Sequence, residues 1–140
     1  MSPPKQNTIS LPAELDNLHT LKSFILDHAG QTISDKKKRH EIELAVDELL
    51  TNVINYAYPD TSGKITIRCL TNQQGDFFAQ MADTGIPFDP LKKREPEMGT
   101  CIEDSKIGGL GIYLARNMLD DMKYHRKSDM NILTICKKKG

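Results

Sequence analysis

The stretch VDELLTNVINYAY, Val46 to Tyr58, decides the fold. Its leucines, valines and isoleucine return at helical spacing, which predicts a core-packing helix. At about 100° per residue, Ile42, Ala45, Val46, Leu49, Val53 and Ala57 fall on one apolar stripe. Glu48, Asn52 and Asn55 gather within an arc of about 60° beside that stripe rather than opposite it. A carboxylate next to a core loses hydration, so it should be paired or put to use. Two readings of this polar line stay open: a solvated helix edge, or groups that meet a ligand.

Outward from this helix, Ser34 is the expected N-cap and Pro59 the stop, with the helix running to about Ala57. TISLPAE, which starts at Thr8, predicts a short strand stopped by Pro12. A helix follows from Glu14 to about Ala29 through Leu15, Leu18, Leu21, Phe24 and Ile25, with Gly30 as its C′ glycine. Residues 1–7, MSPPKQN, are expected to be a flexible arm. On the C-terminal side, KITIRCLT and FFAQMAD read as two strands of a hairpin across NQQGD. Residues 85–107 show little periodicity and contain three prolines; loops of that length are usually functional. A third helix is expected after GGLG, reaching about Asp121, and MKYHRK and NILTICKK close the chain as a hairpin turning at Ser128–Asn131. Strands joined by hairpins imply a mixed, mostly antiparallel sheet with the helices on one face: a two-layer α/β sandwich over residues 8–140.

At 140 residues the chain suits one domain, long enough to bury roughly 68–70% of its unfolded surface. Nineteen basic residues balance nineteen acidic ones, so the chain lacks the net positive charge that drives sequence-independent nucleic-acid binding. The KKKR run at Lys36–Arg39 and the KKK run at Lys137–Lys139 read as solvated charge. Cys69, Cys101 and Cys136 lack CxxC spacing, which argues against a zinc site and a disulfide framework and for a reducing, cytoplasmic setting. No apolar run approaches the roughly 20 residues that span a bilayer.

Three motifs carry chemistry. Magnesium takes oxygen ligands, often only one or two from protein, with phosphates and water completing its shell. The Asn52 carbonyl suits that role, and Glu48, one turn earlier, is placed to accept a proton from an attacking hydroxyl. Such a pair fits phosphoryl transfer, where positioning and charge neutralisation carry most of the catalysis. In MADTGIPFD, Met81 to Asp89, a strand end delivers Asp83, whose carboxylate can accept the exocyclic amino hydrogen of adenine; Gly85 lets a base approach the backbone. An ordinary Asp-x-Gly turn is the alternative. In IGGLGIYLARNMLDDM, Ile107 to Met122, three glycines open an amphipathic helix whose N-terminus suits phosphate oxygens. A flexible helix entrance or tight packing is the alternative there, and no GK[ST] follows to make a Walker loop.

ELLTN (Glu48–Asn52), DTG (Asp83–Gly85) and GGLG (Gly108–Gly111) together resemble the boxes of the GHKL ATP-binding superfamily, which includes gyrase, MutL and the histidine-kinase catalytic domains. ELAVDELLTNVINYAY and GGLGIYLARNMLDDMKY make the chain, over about residues 8–137, similar to the RsbW/SpoIIAB class of bacterial anti-sigma factors, which are also serine protein kinases. The resemblance implies a GHKL, or Bergerat-type, fold that binds ATP and Mg2+. It implies Asn52 as the magnesium ligand, Glu48 as general base and Asp83 as the adenine reader supported by Gly85. The box of Gly108, Gly109, Leu110 and Gly111 would bind the nucleotide, with Gly109 and Gly111 beside the phosphates. Thr134 would assist adenine binding, Asn55 would be a further nucleotide-facing group, and residues 85–107 would be the ATP lid. Two positions depart from the pattern: Pro87 replaces a common second glycine, and Lys22 stands near a common partner-binding arginine.

The function so implied is an anti-sigma factor that binds a sigma factor and phosphorylates an antagonist protein on serine, as a cytoplasmic homodimer without direct nucleic-acid or membrane contact. A non-catalytic, nucleotide-gated regulatory module with another partner is the alternative. The catalytic domain of a histidine kinase fits less well, because His19, His28, His40 and His125 sit in no phosphoacceptor-like context and no phosphoacceptor helix pair precedes the domain.

Overall fold

The computed structural model of the protein describes residues 7–89 and 110–140. Period-two alternation of burial marks five strands: β1 (Thr8–Pro12), β2 (Lys64–Thr71), β3 (Phe77–Asp83), β4 (Asp121–Lys127) and β5 (Met130–Lys137). They form one sheet in the order β1-β2-β3-β5-β4. Every neighbouring pair is antiparallel, so no parallel pairing occurs among the described residues. Three helices, α1 (Leu18–Ala29), α2 (Lys36–Tyr56) and α3 (Leu110–Met118), bury their apolar stripes on the inner face. The two-layer expectation holds.

The core lies where Leu21 and Ile25 of α1 and Val46, Leu49 and Leu50 of α2 meet Ile67, Ala79, Met81 and Ile135 of the sheet. Burial of a side chain of this size contributes about 1.5–3 kcal/mol, so the stripe on α2 fixes that helix's rotation. The β2–β3 turn needs its glycine: Gly75 has φ +85, and Asn72 Oδ1 accepts the Asp76 N–H at 2.9 Å.

Several boundaries differ from expectation for identifiable reasons. The N-cap of α2 is Asp35, not Ser34, and its carboxylate accepts from Lys37 N at 2.8 Å and Lys38 N at 3.1 Å. Gly30 has φ −64, so it ends α1 without left-handed backbone. Residues 1–6 of the expected arm lie outside the described residues, and Asn7 is already tied to β2 by Cys69 N–H at 2.8 Å. α3 stops at Met118 because Asp120 and Asp121 are stitched to β5. The terminal lysines are not merely solvated. Lys137 is buried, pairs with Glu41 at 3.2 Å and donates to the Met118 carbonyl at the end of α3, where a cation favours the helix dipole. Lys38 Nζ in turn donates to the carbonyls of Lys138 and Lys139, tying one basic run to the other.

Two carboxyls are held below the ordinary aspartate range, Asp35 chiefly by the Lys38 N–H and Asp76 chiefly by the Lys139 N–H. Because the folded value is the depressed one, this stabilisation is complete above the unfolded pKa of about 3.9 and disappears as pH falls through the folded values. The melting temperature should therefore drop below about pH 4, and the double variant Asp35→Asn, Asp76→Asn should drop less steeply. Parallel melting curves for the two proteins would contradict this account.

Candidate functional site

The rotation of α2 grades its polar edge. Asn52 lies about 40° nearer the apolar stripe than Glu48 and about 60° nearer than Asn55. Asn52 is accordingly buried, at 8% exposed, while Glu48 and Asn55 are exposed. Glu48 therefore sits on the rim and not against the core, and Asn55 does not line the cleft described next. Asn52 Oδ1 is buried with no hydrogen-bond partner among the described residues. A carbonyl oxygen left so costs about 1–3 kcal/mol, which a cation or its bound water would offset.

Asn52 shares a cleft with Val53 and Tyr56 of α2, Met81 and Asp83 of β3, and Leu133 of β5. The cleft opens to solvent and its cavity volume is about 40 Å³, with mostly apolar walls and a few polar groups, the lining typical of a small-molecule site. Asp83, at the end of β3, is 7% exposed. Its Oδ1 accepts from Gly85 N and Asn131 Nδ2, both at 2.9 Å, while Oδ2 takes no hydrogen bond among the described residues. Gly85 presses the turn onto the end of α2: a Cβ there would lie 2.2 Å from the Ala57 carbonyl oxygen. The Ile86 N–H donates to that same oxygen at 2.9 Å.

At the other end of the edge, a Cβ on Gly111 would lie 2.3 Å from Glu48 Oε2. The first turn of α3, opened by Leu110, therefore abuts the Glu48 carboxylate. Gly108, Gly109, Cys101 and residues 90–107 of the expected lid lie outside the described residues. Lys22 is engaged with Asp47 at 3.5 Å. Burial pushes the Cys69 thiol up to about 12 and raises Cys136, so both stay protonated at neutral pH. Among the described residues no three His, Cys, Asp or Glu side chains gather as a metal site.

Thr134 is corrected. It pairs with Gln80 and Lys123 on the outer face of the sheet, away from the cleft. The polar side chain of β5 that faces Asp83 is Asn131, three residues earlier and 6% exposed. Its Nδ2 donates to Asp83 Oδ1 and to the Ile86 carbonyl at 2.8 Å. Its Oδ1 accepts from Tyr124 Oη at 2.5 Å, Arg126 Nη1 at 3.1 Å and Phe88 N at 3.3 Å. Arg126 Nη1 also donates to the Gly85 carbonyl at 3.0 Å. Sequence reasoning missed Asn131, Tyr124 and Arg126; the available signal was strand phase, since Asn131 alternates with the inward-facing Leu133 and Ile135.

A sequence profile described as the histidine kinase-like ATPase domain matches residues 11–137. The chain belongs to that family. Within it, the chain is 24% identical over 131 residues to serine-protein kinase RsbW of Listeria monocytogenes, covering 90% of this chain and 83% of that one. It is 25% identical over 127 residues to the anti-sigma F factor of Clostridium acetobutylicum, covering 91% and 88%. Among solved structures, the histidine kinase domain from the Erythrobacter litoralis EL346 blue-light activated histidine kinase superposes with a TM-score of 0.57 at 21% identity, covering 97% of this chain and 65% of that one. The antiparallel sheet carrying helices on one face is thus the fold of the family.

The two glycine contacts should respond differently to alanine. Gly85→Ala meets backbone, which cannot yield, and should destabilise the protein by about 2 kcal/mol. Gly111→Ala meets the far end of a flexible Glu48 side chain and should change stability by under about 1 kcal/mol. Urea unfolding of both variants checks this, and equal losses would refute it.

Proposed function

We propose that the protein is an ATP-dependent serine kinase that also binds a sigma factor. The observation that carries the nucleotide part is the buried Asn52 Oδ1, without a hydrogen-bond partner among the described residues, in the same cleft as Asp83. The relatives named serine-protein kinase and anti-sigma F factor support the kinase and partner parts. Asp83 Oδ2 accepts the adenine amino hydrogen, and the apolar walls from Val53, Met81 and Leu133 hold the ring. Asn52 ligates magnesium through Oδ1. Magnesium, when bound, neutralises charge on the phosphates.

Glu48 is exposed on the rim, where a protein substrate reaches it, and abuts the first turn of α3. Its carboxylate takes the proton from the serine hydroxyl of an antagonist protein. The serine oxygen forms a bond to the γ-phosphorus while the bond to the β,γ-bridging oxygen breaks, giving phosphoserine and ADP. The nucleotide-binding box extends through Gly108, Gly109, Leu110 and Gly111. In this reading the protein is a cytoplasmic homodimer; no described helix is long and apolar enough to cross a membrane.

Glu48→Gln should keep ATP binding within about twofold yet lower the phosphorylation rate by about 10²–10⁴, the usual range for a general base. Labelled-phosphate transfer to a candidate antagonist tests this, and an unimpaired rate removes Glu48 from the role. Asn52→Ala should abolish the magnesium dependence of ATP affinity in calorimetry, and an unchanged magnesium dependence would argue that the metal is held elsewhere.

A further inference from the structure

We propose that Asn131 is a positioning residue that sets the base selectivity of the cleft by dictating which oxygen of Asp83 meets the base. This rests on the nucleotide reading above and deepens it. The orientation of the Asn131 amide is fixed by charge and hydrogen-bond type. Three donors, Tyr124 Oη, Arg126 Nη1 and the Phe88 N–H, converge on one end, so that end is the oxygen. Two acceptors, Asp83 Oδ1 and the Ile86 carbonyl, face the other end, so that end is the NH₂. Turning the amide over would set its oxygen against a carboxylate and its NH₂ against a guanidinium.

The five contacts use both amide hydrogens and saturate the oxygen, so Asn131 has no capacity left for a ligand. It acts through Asp83. With the Gly85 N–H, it occupies Oδ1 and leaves Oδ2 as the Asp83 oxygen without a hydrogen bond among the described residues, to meet the base. An acceptor held in one place takes the amino hydrogen of adenine and opposes the carbonyl that guanine carries at the equivalent position, the kind of polar matching that rejects a wrong substrate strongly. Released from Asn131, the carboxylate would turn about its own bond, offer either oxygen and admit water, and discrimination would fall. Tyr124 and Arg126, both on β4, act one step further out by holding the amide.

Calorimetric Kd values for ATP and GTP on the full chain test this, with melting curves to show that each variant is folded. Asn131→Ala should weaken ATP binding about tenfold and reduce the ATP-to-GTP preference at least about tenfold. Arg126→Lys, which loses the planar fork but keeps the charge, and Tyr124→Phe should each reduce the preference by a smaller factor. A folded Asn131→Ala with unchanged preference overturns the inference and leaves the nucleotide reading standing. Should that variant fail to fold, Tyr124→Phe and Arg126→Lys decide, and an unchanged preference in both overturns it. A wild-type chain that binds neither nucleotide overturns the underlying reading, and this inference with it.

Discussion

The burial of one helix stripe against one sheet face fixes most of what matters in this molecule. Val46, Leu49 and Leu50 enter the core against β2, β3 and β5, and α2 then has no rotational freedom left. Asn52 is carried inward with its oxygen unpaired among the described residues, Glu48 is left on the rim, and Ala57 is brought against the turn after β3. A helix stripe shifted by a single residue would move each group by about 100° and dissolve the site. The site is therefore a by-product of core packing, and its polar groups are positioned by apolar ones.

Close approach is the second constraint. Ala57 and Gly85 meet backbone to backbone, and Gly111 lies against Glu48. At Gly63 a Cβ would enter the Tyr58 ring, at 2.1 Å, and the Tyr58 hydroxyl then donates to the Lys64 carbonyl and accepts from the Thr84 N–H. Tyr58 thus ties the chain leaving α2 to the start of β2 and to the turn that orients Asp83. Here the glycines supply contact distance rather than flexibility: none of these three adopts the positive φ seen at Gly75.

The elements readable from sequence were those with a single consistent period. α2 was legible because apolar character confines itself to one stripe, and the β2–β3 hairpin because its turn chemistry is unambiguous. β5 was legible as a strand but not in its phase, because Ile132 and Cys136 are apolar on one face while Leu133 and Ile135 are apolar on the other. With both faces apolar, phase is undetermined, so Asn131 read as a turn residue, and nothing in the strand pattern checked Thr134, which entered the site through the family resemblance alone. Ser128 resolves it: with φ 56 it supplies the left-handed step of a two-residue turn, and β5 begins at Met130. The end of α3 failed for a different reason. Residues 119–122 continue the helical pattern locally, but pairing of β4 with β5 and the Lys137 contact at Met118 win over it. Ser34 and Asp35 are both competent caps, and nothing local distinguishes adjacent candidates.

The polar edge of α2 also has a direction that suits its proposed ligand. Ala57, which supports Gly85 and so Asp83, is nine residues beyond Glu48, a rise of about 14 Å, with Asn52 about 6 Å from Glu48. In the proposed reading the proton acceptor Glu48 and the metal ligand Asn52 lie on one rigid helix, and the base reader Asp83, on β3, is held beside its end through the Gly85–Ala57 contact, in the order of acceptor hydroxyl, phosphates and base in a phosphoryl-transfer complex. A helix of this kind fixes the spacing of Glu48 and Asn52 against loop motion, because the helix backbone bonds and the buried stripe would have to break before it changed. At that end the turn after β3 continues through Ile86 and Phe88, the two residues whose backbone the Asn131 amide holds. In the proposed reading, base recognition and the backbone of Ile86 and Phe88 are consequently anchored on one side chain, so a change at either is felt by the other.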